Sequence, residues 1–129
     1  MSETISEFRV MTSGAFTAAH LALMPQLERV IKTKVVTAST SIGTGEMSIP
    51  SRLKRGEAVD IVIVAEPAFR QFVAGGLVLN EGHAILARSV MAMAVRAGAP
   101  KLDISSVDAL RKTLLQAKSI GYSASESGK

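Results

Sequence analysis

Asp60-Ile-Val-Ile-Val-Ala65 is the stretch on which the fold turns. Five apolar residues follow an acid without polar alternation, and four of them are β-branched. That pattern marks a strand covered on both faces, as in a parallel sheet. Working outward, Pro67 opens a helix over 68–74 and Gly75-Gly76 closes it. Upstream, a short helix begins near Ser48, with Pro50 suited to its first turn and Gly56 to its end. Before it lie a strand over 34–39 and the hydroxyl- and glycine-rich loop Ser39-Thr-Ser-Ile-Gly-Thr-Gly45. Earlier still, Phe8-Arg-Val-Met-Thr12 reads as a strand feeding a helix over 14–31. That helix places Phe16, Ala19, Leu23, Leu27, Val30 and Ile31 at three-and-four spacing. Pro25 is expected to kink or split it, because proline lacks the donor its turn needs. Strand alternating with helix three times over predicts a doubly wound α/β unit.

After His83 the character changes. A long strand is expected over 86–97, centred on Met91-Ala-Met-Ala-Val95, whose methionines read as core packing. Gly98-Ala-Pro100 breaks it. Ser105 with Asp108 three residues on has capping-box form before a helix over 107–117. A further strand is expected over 118–122, followed by the hydroxyl-rich Ser123-Ala-Ser-Glu-Ser-Gly-Lys129. The organisation read from this is a first lobe over 1–84 and the beginning of a second over 85–129. The second has too little partner surface to bury both faces. It is expected to pack on another copy or to continue in a longer protein.

Composition removes whole classes of chemistry. The chain has 129 residues, 47% of them hydrophobic and 20% charged, enough apolar material for a core. It has no cysteine, which excludes disulfides, thiolate nucleophiles and zinc–thiolate sites. Its two histidines, His20 and His83, cannot fill a metal site without carboxylate help, and no cofactor is expected. Tryptophan is absent and aromatics are 4%, which removes most stacking platforms for bases. The net charge of +4 is scattered. The densest run, Arg52-Leu-Lys54-Arg55, is followed by Glu57 and Asp60 and reads as a solvated helix face rather than a nucleic-acid footprint. The first seven residues carry two acids and no basic-then-apolar leader, so a periplasmic location requires a leader already removed; otherwise the chain is cytoplasmic. The stretch 10–27, interrupted by Gly14, His20 and Pro25, is no membrane span.

Open α/β sheets bind ligands at the carboxyl ends of their strands. Those ends here are Thr12-Ser13-Gly14-Ala15, Ser39 to Gly45, Ala65-Glu66-Pro67 and Ser123 to Gly128. Three of the four are crowded with hydroxyls and glycines. Helix N-termini supply unpaired N–H groups and partial positive charge, small residues admit a ligand, and hydroxyls add rotatable donors. No Lys or Arg lies in the first three, so a small oxyanion held by neutral donors fits better than a charge-clamped phosphate. The nucleotide-binding string Gly-x-x-x-x-Gly-Lys-[Ser/Thr] is absent. Each hydroxyl also has a plain alternative as a helix cap. A serine triad is excluded by spacing: Ser13 and His20 stand about 10 Å apart along a helix. Glu66 reads as the cap of the Pro67 helix, His20 as a core-edge residue and His83 as a loop residue.

At this point a family resemblance emerges. Ile49-Pro-Ser-Arg-Leu-Lys-Arg-Gly56-Glu-Ala-Val-Asp60-Ile-Val-Ile-Val-Ala65 resembles the segment with a spaced glycine, an aspartate and a hydrophobic strand found in molybdate-type periplasmic solute-binding proteins. Phe8-Arg-Val-Met-Thr-Ser-Gly-Ala-Phe16 resembles that family's first strand and ligand loop. Residues 85–96 resemble its crossover strand, and Tyr122-Ser-Ala-Ser-Glu-Ser-Gly128 a loop of its second lobe. The likeness covers nearly the whole chain but about the first half of a family member. It implies a type 2 periplasmic-binding-protein fold, with lobe I and the start of lobe II. Carried over by position, Ala15 falls where the family has a ligand-binding serine, and either Ser41 or Thr44 falls near its second. Ala65 and Ser127 fall at backbone contacts to the anion. Alanine at 15 removes a hydroxyl that Thr12, Ser13 or Thr17 would have to replace.

The expected function is therefore non-catalytic binding of a small, molybdate-like oxyanion. The chain would serve an ABC-type importer, with a permease as partner, or a related sensor. An isomerase of a small tricarboxylate such as aconitate, on the same fold, is the alternative; the sequence offers it no convincing general base. A third reading is a cytosolic sensing module that forms a homo-oligomer to complete its second lobe.

Overall fold

The computed structural model describes residues 7–40 and 45–122, with Ser39 described by its backbone alone. Its elements are β1 (Glu7–Ser13), α1 (Gly14–Ile31), β2 (Lys34–Thr40), α2 (Ile49–Lys54), β3 (Ile61–Ile63), α3 (Glu66–Ala74) and α4 (Val107–Gln116). The chain divides into two units, 1–84 and 85–129.

In the first unit the strands form a parallel sheet of order β2-β1-β3. The α/β fold expected from the alternation is present. The chain moves from β1 to one side and then back across β1 to the other. Parallel crossovers share one hand, so this reversal sends α1 and α2 to opposite faces. On the α2 face Met11 of β1 is buried with Ile49 of α2 and with Ala68 and Phe72 of α3, and Ala38 and Val62 of the flanking strands pack against them. Burying such a side chain stabilises by about 1.5–3 kcal/mol, so this cluster carries the unit.

The α1 face is more polar. His20 of α1 is 5% exposed, and its Nε2 lies 2.8 Å from Thr37 Oγ1 of β2. The Thr37 hydroxyl donates in turn to Met24 Sδ, at 3.2 Å. With the Thr37 proton on Met24 Sδ, a Thr37 lone pair accepts from the Nε2–H tautomer of His20. Glu28 Oε1 accepts the Val35 N–H at 2.8 Å, a second tie between α1 and the outer strand.

Several boundaries differ from expectation for identifiable reasons. α1 runs through Pro25 without splitting. One ladder bond is lost, but His20 and Met24 on one side of the proline and Glu28 on the other anchor both halves to β2. Its packed face runs through Phe16, His20, Met24 and Leu27, whereas Ala19 and Leu23 are exposed and Val30 is 80% exposed. β3 is three residues long and an edge strand; Ile61 is 43% exposed, since α1 covers β1 and β2 but not this edge. Coverage on both faces, expected from its sequence, is not present. α2 ends as foreseen, with Gly56 at φ +74.

In the second unit α4 starts at Val107 as expected, but its cap is Ser106 and not Ser105. Ser106 accepts from Ala109 N–H at 3.1 Å, while Ser105 donates to Asp103. The strands expected over 86–97 and 118–122 do not form ladders among the described residues, and Met91 is 71% exposed rather than in a core. A strand is stable only when its N–H and C=O groups are paired and a face is covered. Neither condition is met for these segments.

Candidate functional site

All three parallel strands end on one rim of the sheet. β1 sits centrally, and in register Ser13 pairs with Thr40 of β2 while Thr12 pairs with Ile63 of β3. The turns Ser13-Gly14-Ala15 and Val64-Ala65-Glu66 therefore stand side by side. The order reversal lies between β1 and β3, which makes this the switch point of the sheet. α1 and α3 both begin here, and neither N-cap side chain bonds the first turn of its helix.

The sequence-derived residues occupy this rim unequally. Thr12 is fully buried, and its hydroxyl donates to the Ser13 carbonyl at 3.1 Å. The Thr17 hydroxyl donates to the same carbonyl at 3.1 Å. Together they fix the β1–α1 turn. Ser13 itself is the N-cap of α1, yet its side chain makes no capping hydrogen bond. Its hydroxyl stays at the rim. Ala15 is exposed in the first turn of α1 and brings its backbone N–H alone. Ala65 is the N-cap of α3, exposed and without a side-chain donor. Ser41, Thr44 and Ser127 lie outside the described residues.

Glu66 is not a cap. It is the first residue of α3, and its carboxylate takes two hydrogen bonds from Arg70, 3.1 Å from Nε and 2.6 Å from Nη2. One helical turn separates them, so geometry draws the acid down the helix.

Sequence reading missed Thr40, the last residue of β2. By strand alternation its side chain shares the face of Ala38 and Met11, beside Ser13. Its Oγ1 is buried and has no hydrogen-bond partner. Its place inside a long hydroxyl-rich stretch hid it: nothing local separates Thr40 from its neighbours.

Asp60, part of the segment carrying the family resemblance, works at the opposite end. Its Oδ2 accepts the Arg9 N–H at 2.7 Å and its own N–H donates to the Arg9 carbonyl at 2.9 Å. It thus starts the β1–β3 ladder. Nearby, Arg52 forms a two-point ion pair with Glu57 (Nε to Oε2 2.7 Å). This hydrogen bond, with the Arg52 charge, holds the Glu57 carboxyl below its usual range. The pair borders a cavity of about 60 Å³ with Arg9, Met11, Val36 and Ala38. That cavity lies at the strand beginnings, away from the helix N-termini, and has room for a water or two.

Among the described residues no group of three or more His, Asp or Glu side chains could hold a metal ion. Nor is any described helix long and apolar enough to cross a membrane. What the rim can do is accept negative charge: it gathers first-turn N–H groups and the hydroxyls of Ser13 and Thr40, with no cation among them.

Comparison with known proteins sharpens this. Residues 8–129 match the family described as bacterial extracellular solute-binding protein. A relative from Pseudomonas sp, named aconitate isomerase, is 37% identical over 128 residues, covering 98% of this chain. The chain spans about half of that relative, 49% of its length. No solved structure matches the chain. The expectation of a protein that is not an enzyme, drawn from the missing triad and missing base, is overturned by this relative, whose name is that of an isomerase. With 122 of its 129 residues (8–129) matched, this chain belongs to the bacterial extracellular solute-binding protein family.

Proposed function

We propose that this chain provides the tricarboxylate-binding lobe of an isomerase built on the solute-binding fold, acting on aconitate or a close analogue. The 37% identity to an aconitate isomerase across 98% of the chain carries the reading. The rim supports it in kind. A polycarboxylate needs several donors spread over its oxygens, and neutral N–H and O–H groups supply them without the long side chains of a phosphate clamp. Alanine at position 15 leaves an open first turn, with space for a ligand larger than a tetrahedral oxyanion.

Interconverting cis and trans forms requires that the double bond lose its rigidity for a moment. Removing a methylene proton next to the double bond spreads the electron pair over three carbons and the attached carboxylates. Returning the proton at the far carbon restores the double bond in its new position, with no other reactant consumed. Donors aimed at the carboxylates stabilise the charge that develops on them.

The experiment follows ultraviolet absorbance of cis- and trans-aconitate with the full chain, beside calorimetric titration with trans-aconitate, molybdate and sulfate. Heat with trans-aconitate together with interconversion supports the reading. Heat with molybdate or sulfate, none with trans-aconitate and no interconversion refutes it in favour of an inorganic-anion receptor.

A further inference from the structure

Moving a double bond needs a group that takes a proton and gives it back, which the hydroxyls and backbone N–H groups of the rim do not do at neutral pH. Most described acids and histidines of the first unit are already engaged. His20 meets Thr37, Glu28 the Val35 N–H, Asp60 the Arg9 N–H, and Glu7, Glu57 and Glu66 meet arginines. Glu46, Glu81 and His83 remain, all exposed and without a side-chain hydrogen bond or ion pair.

Of these three, His83 has its side chain held. Its ring lies flat on that of Phe69, with centroids 4.2 Å apart and planes inclined by 13°. The turn that presents it is tied down as well: Leu77 and Val78 pack on the core cluster, and the His83 N–H donates to the Asn80 carbonyl at 3.2 Å. Phe69 connects this ring to the rim. Its N–H donates at 3.1 Å to the carbonyl of Ala65, the N-cap of α3, so one helical turn separates the two. Helical side chains lean towards the N-terminus of their helix, which carries the Phe69 ring, and the imidazole stacked on it, towards the rim. Stacking covers a face of the imidazole and leaves its two nitrogens, which lie in the ring plane, open at the edge.

We propose that His83 is the catalytic base of the isomerisation and that Phe69 positions it. The proposal rests on the tricarboxylate reading above and supplies the proton acceptor that reading needs. The neutral imidazole takes a methylene proton of aconitate on its free ring nitrogen, and the C–H electron pair spreads over three carbons and the attached carboxylates. The imidazolium then returns a proton to the far carbon and is neutral again, with nothing else consumed. Histidine suits this exchange better than the unanchored carboxylates of Glu46 and Glu81, because an imidazole ordinarily gains and loses its proton closest to neutrality. The charged residues on the elements packed against it are Glu66 and Arg70 of α3, which bond each other, and Glu81 of its own turn.

The test measures kcat and KM for aconitate interconversion across pH, calorimetric affinity for trans-aconitate, and melting. The proteins are the full chain as wild type, His83→Asn, His83→Ala and Phe69→Leu. His83→Asn should lower kcat by about 10²- to 10⁴-fold and abolish a limb of the pH–rate profile, while affinity stays within about threefold. His83→Ala should lose as much and recover at least about tenfold when free imidazole is added, since the position is open to solvent. Phe69→Leu should lower kcat by about tenfold and keep that limb of the profile, because the base is present but no longer held. A kcat in His83→Asn within about tenfold of wild type overturns the proposal and leaves the isomerase reading standing. A loss matched by falling affinity or melting temperature, or one that imidazole does not restore in His83→Ala, also overturns it. Wild-type kcat in Phe69→Leu overturns the positioning role. If wild type does not interconvert the aconitates, the isomerase reading and this base fall together.

Discussion

The His20–Thr37 contact offers a demanding check on how α1 is held over the sheet. Thr37→Val removes the hydroxyl that accepts the His20 ring N–H at 2.8 Å. His20 is 5% exposed, so its nitrogen is left without a partner away from water. Stranding a buried donor costs about 1–3 kcal/mol, and the partly wetted edge of this ring argues for about 1–2. His20→Leu is expected to be gentler, about 1 kcal/mol, because the Thr37 hydroxyl keeps Met24 Sδ as its acceptor. Once leucine occupies position 20 no donor remains to be stranded, so adding Thr37→Val costs little more. The double variant should thus lie close to His20→Leu alone, a coupling of about 1–2 kcal/mol. Urea unfolding of the four proteins, at a pH where histidine is neutral, measures it. Losses that add to within about 0.5 kcal/mol would refute the reasoning, because independent sites behave in that way. The result bears on function, since α1 carries Gly14 and Ala15 at the rim.

Three further outcomes follow from local geometry. Ser13→Ala should change stability by less than about 0.5 kcal/mol, against the ~1 kcal/mol typical of a lost N-cap, because this hydroxyl caps nothing; ligand affinity, read by calorimetry, should fall. Gly56→Ala should destabilise by about 1 kcal/mol in denaturant unfolding, wholly from its φ of +74, since no atom lies within 4 Å of the added methyl. The Glu57 carboxyl is held below its ordinary value of 4.5, first by the Arg52 hydrogen bond. A lowered carboxylate adds stability at pH above that ordinary value and loses it as pH falls through the folded-state value. Carbon-detected NMR titration should place the Glu57 midpoint below the ordinary one, and Glu57→Gln should flatten stability between neutral and acid pH.

Much of the first unit was legible because local chemistry and tertiary structure agree there. Pro50 and Gly56 bracket α2, Pro67 and Gly75-Gly76 bracket α3, and the β-branched run at Ile61 supplies β3. Proline fixes φ and glycine admits left-handed turns wherever they occur, so such signals survive translation into structure. The face of α1 was not legible. Leu21, Leu23 and Val30 are apolar but exposed, and a helix apolar on several sides gives periodicity no single answer. The partners waiting on β2 chose His20 and Met24.

The same division runs through the site. That hydroxyl-rich turns follow strands, and that a parallel sheet gathers strand ends on one rim, followed from residue order alone. Which hydroxyls remain available did not. Thr12 and Thr17 are turned to the Ser13 carbonyl, Glu66 to Arg70, and among the described residues Thr40 Oγ1 alone is buried with nothing to bond. The order of residues determined the elements of the first unit and its α/β class, because those depend on contacts a few residues long. Strand order, helix faces and the supply of unspent donors were decided in three dimensions, where a hydrogen bond goes to whichever partner folding brings within about 3 Å.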